Sequence, residues 1–129
     1  MQRDFDIDIY GKGAWTMYQD KVVLCASSAY NKKYWMNDDF KMLPEQIKQE
    51  LKIMCVLFTE DVGGILSLEY EEDGTLIFNV EADEADYLFD DIGSALKIKQ
   101  LQREKEELLE ALELYYKVFF LGEDASELL

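Results

Sequence analysis

Hydrophobic and polar residues alternate along much of the first third of the chain. Asp4–Tyr10 places phenylalanine and isoleucine on one side and aspartates on the other, a period of two that is typical of a half-buried strand. Ala14–Tyr18, Val22–Tyr30 and Lys33–Met36 are further predicted strands, because turn residues separate these apolar stretches. The pattern therefore predicts several strands joined by short connections.

The clearest hairpin is predicted over Ile65–Val80. Its alternating apolar side chains are Leu66, Leu68 and Tyr70 on the first arm and Leu76, Phe78 and Val80 on the second. Between the arms, Glu71–Gly74 ends in Asp-Gly, a strong local turn signal. We expect the alternating residues of both arms to share one buried face.

A helix is predicted to begin at Pro44 and to end at Gly63, where the lack of a side chain permits a left-handed cap. Leu51, Cys55 and Phe58 fall on one stripe at helical spacing. A second apolar side follows in the same helix, carried by Ile53, Val56 and Leu57. This pattern predicts a helix packed between two layers.

A C-terminal helical region is predicted over about residues 83–121, with Asp83 as its cap. A straight helix of that length would span about 57 Å, whereas a domain of this size is about 36 Å across. The apolar positions also form two stripes on opposite sides. The first stripe contains Leu88, Phe89, Ile92, Ala95 and Leu96, and the second contains Leu101, Leu108, Leu112, Tyr115 and Phe119.

One straight helix cannot present both stripes to one core, so two arrangements are open. Either the helix breaks near Lys97–Gln102, or its halves bury against different partners. We expect the half over residues 83–96 to lie on the protein's own sheet. The second stripe, with spacings close to a heptad, belongs to the intrachain core or to an interface with another chain. Taken together, the elements predict a single α+β domain over residues 1–129, an antiparallel sheet of four to six strands with two or three helices on one face.

The composition of the chain excludes several classes of function. The chain has 28 acidic and 13 basic residues, a formal net charge of −15 and no histidine. Such a charge repels nucleic acid and anionic membranes, and the lack of histidine removes the commonest catalytic base and metal ligand. We therefore expect no catalytic residues, no cofactor, no nucleic-acid partner and no membrane partner. Cys25 and Cys55 lie within apolar runs and are expected to be buried, unpaired thiols in a cytoplasmic protein.

Two clusters could bind a ligand. Asp83, Asp86 and Asp90 have helical spacing and oxygen ligands that suit Mg²⁺ or Ca²⁺, although acidic residues at a helix start also stabilise the helix without a metal. The basic and aromatic stretch Tyr30–Trp35 could stack a nucleic-acid strand, but a turn with half-buried aromatics explains the same residues.

Three stretches carry a resemblance to a known family: Val22–Asn37, Leu43–Ile65 and Asp83–Ile98. In combination they resemble a family of small, acidic, uncharacterised bacterial proteins, a domain of unknown function. The resemblance implies a bacterial cytoplasmic protein, and it implies no activity and no catalytic residue.

Two functions remain open from the sequence. The leading hypothesis is a non-enzymatic interaction module that self-associates, most simply as a homodimer, or docks a protein partner through the second stripe. The alternative is a domain that binds a small ligand or a divalent cation at the acidic stretch Asp83–Asp91. An enzyme comes third, because no constellation of residues favours one.

Overall fold

The computed structural model describes residues 21–123, and the predicted strands Asp4–Tyr10 and Ala14–Tyr18 lie outside them. A short 3₁₀ turn, Asp38–Phe40, leads from the second strand towards the first helix. In chain order the elements are β1 (Val22–Ser28), β2 (Lys33–Met36), α1 (Glu45–Val62), β3 (Ile65–Tyr70), β4 (Leu76–Glu81), α2 (Asp91–Glu104) and α3 (Glu106–Phe119).

The four strands form one antiparallel sheet in the order β2-β1-β3-β4. Leu68 of β3 lies opposite Cys25 of β1 on one side and Phe78 of β4 on the other. The predicted hairpin is confirmed, since the alternating residues of β3 and β4 pair with one another and all are buried or half-buried. The α+β class and the antiparallel sheet are therefore as predicted.

Helix α1 packs on the sheet with the predicted stripe, whose Leu51, Cys55 and Phe58 are all buried. Its Cys55 and Thr59 meet Cys25 and Ser27 of β1, with the two hydroxyl oxygens 2.9 Å apart. Gly63 ends the helix with a φ of 89° and donates its N–H to the Thr59 carbonyl, as the sequence predicts.

The second apolar side of α1 does not pack as predicted. Ile53 and Leu57 are each more than half exposed, so the described residues place no layer over them. The prediction of a helix packed on both sides is wrong for this part of the chain.

The C-terminal region is two helices rather than one. Its break lies at Lys105, where φ is −110° and ψ is 25°, three residues beyond the predicted range. The first of the two helices begins only at Asp91, because Asp90 caps it by accepting the Gly93 N–H at 2.9 Å. The predicted start at Asp83 is wrong.

Helix α3 is tied to the sheet by two polar contacts. The Tyr70 hydroxyl of β3 donates to the Leu112 carbonyl at 2.8 Å. The Glu113 carboxylate accepts the Leu76 N–H at the start of β4, also at 2.8 Å. Tyr70 shares its face of the sheet with Leu68 and Cys25, so α1 and α3 lie on the same side.

An aromatic stack reinforces the position of α3. Tyr70 and Tyr116 stack at 4.2 Å between ring centroids, and Phe40 of the 3₁₀ turn stacks on Phe120 at 4.7 Å. Burial of these rings supplies apolar area as well as ring contacts. The stack joins the 3₁₀ turn, the third strand and the end of the last helix.

The two stripes of the C-terminal region have opposite positions. Leu88, Ile92 and Leu96 of the first stripe are 93%, 75% and 64% exposed. The expectation that residues 83–96 lie on the protein's own sheet is therefore wrong. Of the second stripe, Leu108 and Leu112 are buried in the chain's own core.

Candidate interaction sites

An apolar groove lies between the start of α1 and the outer side of α3. Its volume is about 410 Å³. The groove is lined by Leu43, Pro44, Ile47, Ala111, Leu112, Leu114, Tyr115, Val118 and Phe119. Such a concave apolar surface with few polar groups is typical of binding sites in proteins.

The sequence explains how the groove forms. Pro44 starts α1, which places Leu43 and Ile47 at one wall. On α3, Ala111, Leu114 and Val118 follow one another at spacings of three and four, so they line one side of the helix. The buried stripe of α3 anchors the helix to the sheet and leaves this second side at the surface.

Part of the predicted interface stripe reaches the groove. Leu101 and Leu108 are buried in the core away from it, and Leu112 is buried at its floor. Tyr115 is half-buried in the groove wall, and Phe119 is 70% exposed at its end. Only Tyr115 and Phe119 of the predicted set therefore offer surface to another chain.

The remaining lining residues were not predicted as a site. Ala111, Leu114 and Val118 have helical spacing of their own, which was a usable signal in the sequence. Leu43 and Ile47 belong to a segment more than 60 residues earlier in the chain. No local pattern could place them beside α3.

The acidic candidates are engaged in local turns. Asp83 accepts the Ala85 N–H at 2.9 Å, and Asp86 accepts the Leu88 N–H at 3.2 Å. Asp90 is the helix cap, so each of the three carboxylates accepts a hydrogen bond from a backbone N–H. Within residues 21–123 no group of three or more histidine, cysteine, aspartate or glutamate side chains is placed to hold a metal ion.

The basic and aromatic stretch is divided between several roles. Tyr30 bonds through its hydroxyl to Asp86 at 2.7 Å. Tyr34 is half-buried, and burial beside Cys25 and Cys55 raises its pKa. Two of the three aromatic residues of this stretch, Tyr30 and Tyr34, are therefore engaged in contacts within the chain.

The two thiols are unpaired and fully buried, as predicted. Cys25 Sγ lies 3.8 Å from Cys55 Sγ, across the contact between β1 and α1. The hydrogen bond with Cys25, together with burial, raises the pKa of the Cys55 thiol. A buried thiol with a raised pKa is protonated and unreactive, which fits a role in packing.

The fold and these surfaces define a class: an α+β domain whose first and last helices lie on one face of an antiparallel sheet and border an apolar groove. A family model then places the chain more closely, because DUF6145, a family of unknown function, matches residues 21–124. The chain belongs to this family. Neither the curated proteins nor the solved structures give a significant match. Among the helices described here, none has the length and hydropathy to cross a bilayer.

Proposed function

We propose that the chain is an interaction module that holds an apolar segment of another protein chain in the groove between α1 and α3. The observation that carries the proposal is the groove itself, which is almost wholly apolar and open at the surface. Apolar side chains that leave water on binding supply the main favourable free energy of association. The groove can therefore supply this free energy to a bound partner, whereas a polar surface cannot.

The end of α3 extends the apolar surface beyond the groove. Phe119 is largely exposed, and Phe120 and Leu121 are each about 40% exposed. Aromatic residues beside a well-packed concavity are typical anchors of protein interfaces. The stack that holds Tyr116 and Phe120 also fixes this surface before a partner arrives, which lowers the entropic cost of binding.

Self-association into a homodimer is the first form of this proposal. A two-fold axis would place the grooves of two copies against each other, and this is the commonest symmetry of soluble oligomers. The net charge of −15 opposes it at long range, and salt reduces that opposition. A protein partner with a compatible apolar segment is the second form.

The mass in solution tests the first form. Sedimentation equilibrium of the parent chain should show a dimer that strengthens with salt, and Leu114→Glu with Phe119→Glu should give a folded monomer. Leu96→Glu is the matched control, because Leu96 is exposed on a different helix. It should remain dimeric.

A parent chain that is monomeric at high micromolar concentration would contradict the homodimer. The second form is then tested with a photoreactive residue at position 114. An adduct with another protein, lost when Phe119 is also changed to glutamate, supports the groove. The absence of any adduct contradicts it.

A further inference from the structure

A second surface, outside the groove, displays apolar side chains to solvent. Tyr87 and Leu88 are 91% and 93% exposed, the highest exposure among the large hydrophobic residues of the described chain. Ile92 and Leu96, four residues apart on α2, are also exposed, at 75% and 64%. Single exposed apolar residues are ordinary, but two adjacent large apolar side chains that are almost fully exposed are typical of an interaction site.

The loop that carries Tyr87 and Leu88 is anchored at its base. The Tyr30 hydroxyl donates to Asp86 at 2.7 Å and accepts the Asp83 N–H at 2.9 Å. Phe89 packs so closely on Gly64 that a Cβ built there would lie 2.8 Å from the phenylalanine ring. The backbone is thus held in place while two bulky side chains point to solvent. A preorganised anchor loses little entropy when it binds.

The charges near this anchor are mostly negative, with the exposed Lys32 and Lys33 in the turn that carries Tyr30 as the basic exceptions. Five carboxylates surround it in the sequence, and the next basic residue, Lys97, pairs with Asp61 of α1 at 3.5 Å. The carboxylates are those of Asp83, Glu84, Asp86, Asp90 and Asp91. A complementary surface therefore combines an apolar pocket with a border of lysine or arginine, since opposite charges steer association and select the partner.

The same charges argue against other occupants. Two copies related by a two-fold axis would bring identical carboxylate groups together, and like charges across an interface cost free energy. Anionic lipid and nucleic acid are repelled for the same reason. The anchor lies in the loop before α2, whereas the groove is lined by residues of α3 and around the start of α1, so this surface and the groove are separate sites.

We propose that Tyr87 and Leu88 form an anchor that docks into an apolar pocket bordered by lysine or arginine on a different protein. The pair inserts as one aromatic and one aliphatic side chain, and the carboxylates around it meet the basic border. Docking through Tyr87 and Leu88 needs no contribution from the groove. This proposal is therefore independent of whether the groove binds another chain.

The test starts from a photoreactive phenylalanine derivative at position 87 of the full chain, introduced in the cells in which the chain is native. The matched control carries the same derivative at position 72, an exposed glutamate in the hairpin turn. We expect an adduct with a different protein from position 87 and none from position 72. The crosslinked peptide should lie beside lysine or arginine residues.

Binding between the purified chain and the purified crosslinked partner protein then decides the proposal. Leu88→Ala should weaken binding at least about tenfold, as loss of an anchor does, while leaving the melting temperature unchanged because Leu88 is almost fully exposed. Added salt should weaken binding by the parent chain. The groove variant Leu114→Glu should bind as the parent does, so that failure of the anchor and failure of the groove are distinguishable.

Four outcomes would overturn the proposal. They are no adduct above the control, an adduct only with a second copy of the chain, binding by Leu88→Ala within about twofold of the parent, and binding that does not respond to salt.

Discussion

The two apolar stripes of the C-terminal region look alike in sequence and differ completely in the folded chain. Residues 88–96 carry leucine, isoleucine and phenylalanine at helical spacing, and residues 108–119 carry leucine, tyrosine and phenylalanine at helical spacing. The second stripe is largely buried against the sheet, whereas the first is mostly exposed. Helical periodicity therefore marked an apolar side of each helix without telling which side is covered.

Polar anchors and aromatic contacts account for the difference. The second stripe is accompanied by the Tyr70 and Glu113 hydrogen bonds and by the stack around Tyr116. The first stripe is instead surrounded by carboxylates that satisfy local backbone. Burial of that stripe would remove these charged groups from water, and such a loss of hydration is costly.

Truncation of one leucine in each stripe should give the largest contrast. Leu112→Ala should lower the free energy of unfolding by about 3 kcal/mol, because it leaves a cavity in the core. Leu96→Ala should change it by less than about 0.5 kcal/mol, since most of its side chain already contacts water. Urea denaturation measures both values. Equal losses would mean that both stripes are buried.

Removal of one hydroxyl should have a smaller effect. Tyr70→Phe loses the bond to the Leu112 carbonyl and should cost about 1 kcal/mol. Tyr87→Phe is the matched control and should cost nothing measurable, because its side chain is exposed. If Tyr70→Phe were neutral in the same urea experiment, the hydroxyl bond would not contribute to holding α3.

Removal of the cap tests where the first C-terminal helix begins. Asp90→Ala should cost about 1 kcal/mol, as loss of an N-cap does, with a decrease in helical circular dichroism under mildly destabilising conditions. Asp83→Ala should cost less than about 0.5 kcal/mol. A larger loss at Asp83 would place the helix start where the sequence alone predicted it.

Alkaline pH should weaken the region around α3. Burial raises the pKa of Tyr70 and of Tyr116. The folded chain therefore keeps these protons where the unfolded chain loses them, and stability falls as pH rises above the ordinary tyrosine value of about 10. Denaturation at a series of pH values should show this decline. Tyr70→Phe should make it shallower, and an unchanged slope would contradict the assignment.

Divalent cations should have the smallest effect. Millimolar Mg²⁺ or Ca²⁺ should leave the melting temperature unchanged apart from general screening of the negative charge, since Asp83, Asp86 and Asp90 already accept backbone N–H groups. Equal ionic strength of NaCl is the control. A saturable rise in melting temperature that Asp86→Ala removes would instead indicate a cation site.

Local chemistry made much of the fold predictable. Asp-Gly between two alternating arms specified the hairpin, and Pro44 with Gly63 bounded the first helix to within one residue. These signals act through neighbouring residues, so they can be read from the chain. The candidate groove was only partly predictable, because its walls come from segments far apart in sequence and only Tyr115 and Phe119 belonged to the predicted interface.

The sequence by itself determined the four strands of the described sheet, the helical spacing of both stripes, the acidic charge and the buried thiols. Only the tertiary structure decided that the last helical region breaks at Lys105, that its second stripe packs on the sheet, and that Leu88 and Ile92 are exposed. The physical reason is that an apolar side of a helix gains free energy from any apolar surface that covers it. Which surface is available depends on long-range contacts, such as those of Tyr70 with α3, that no local pattern records.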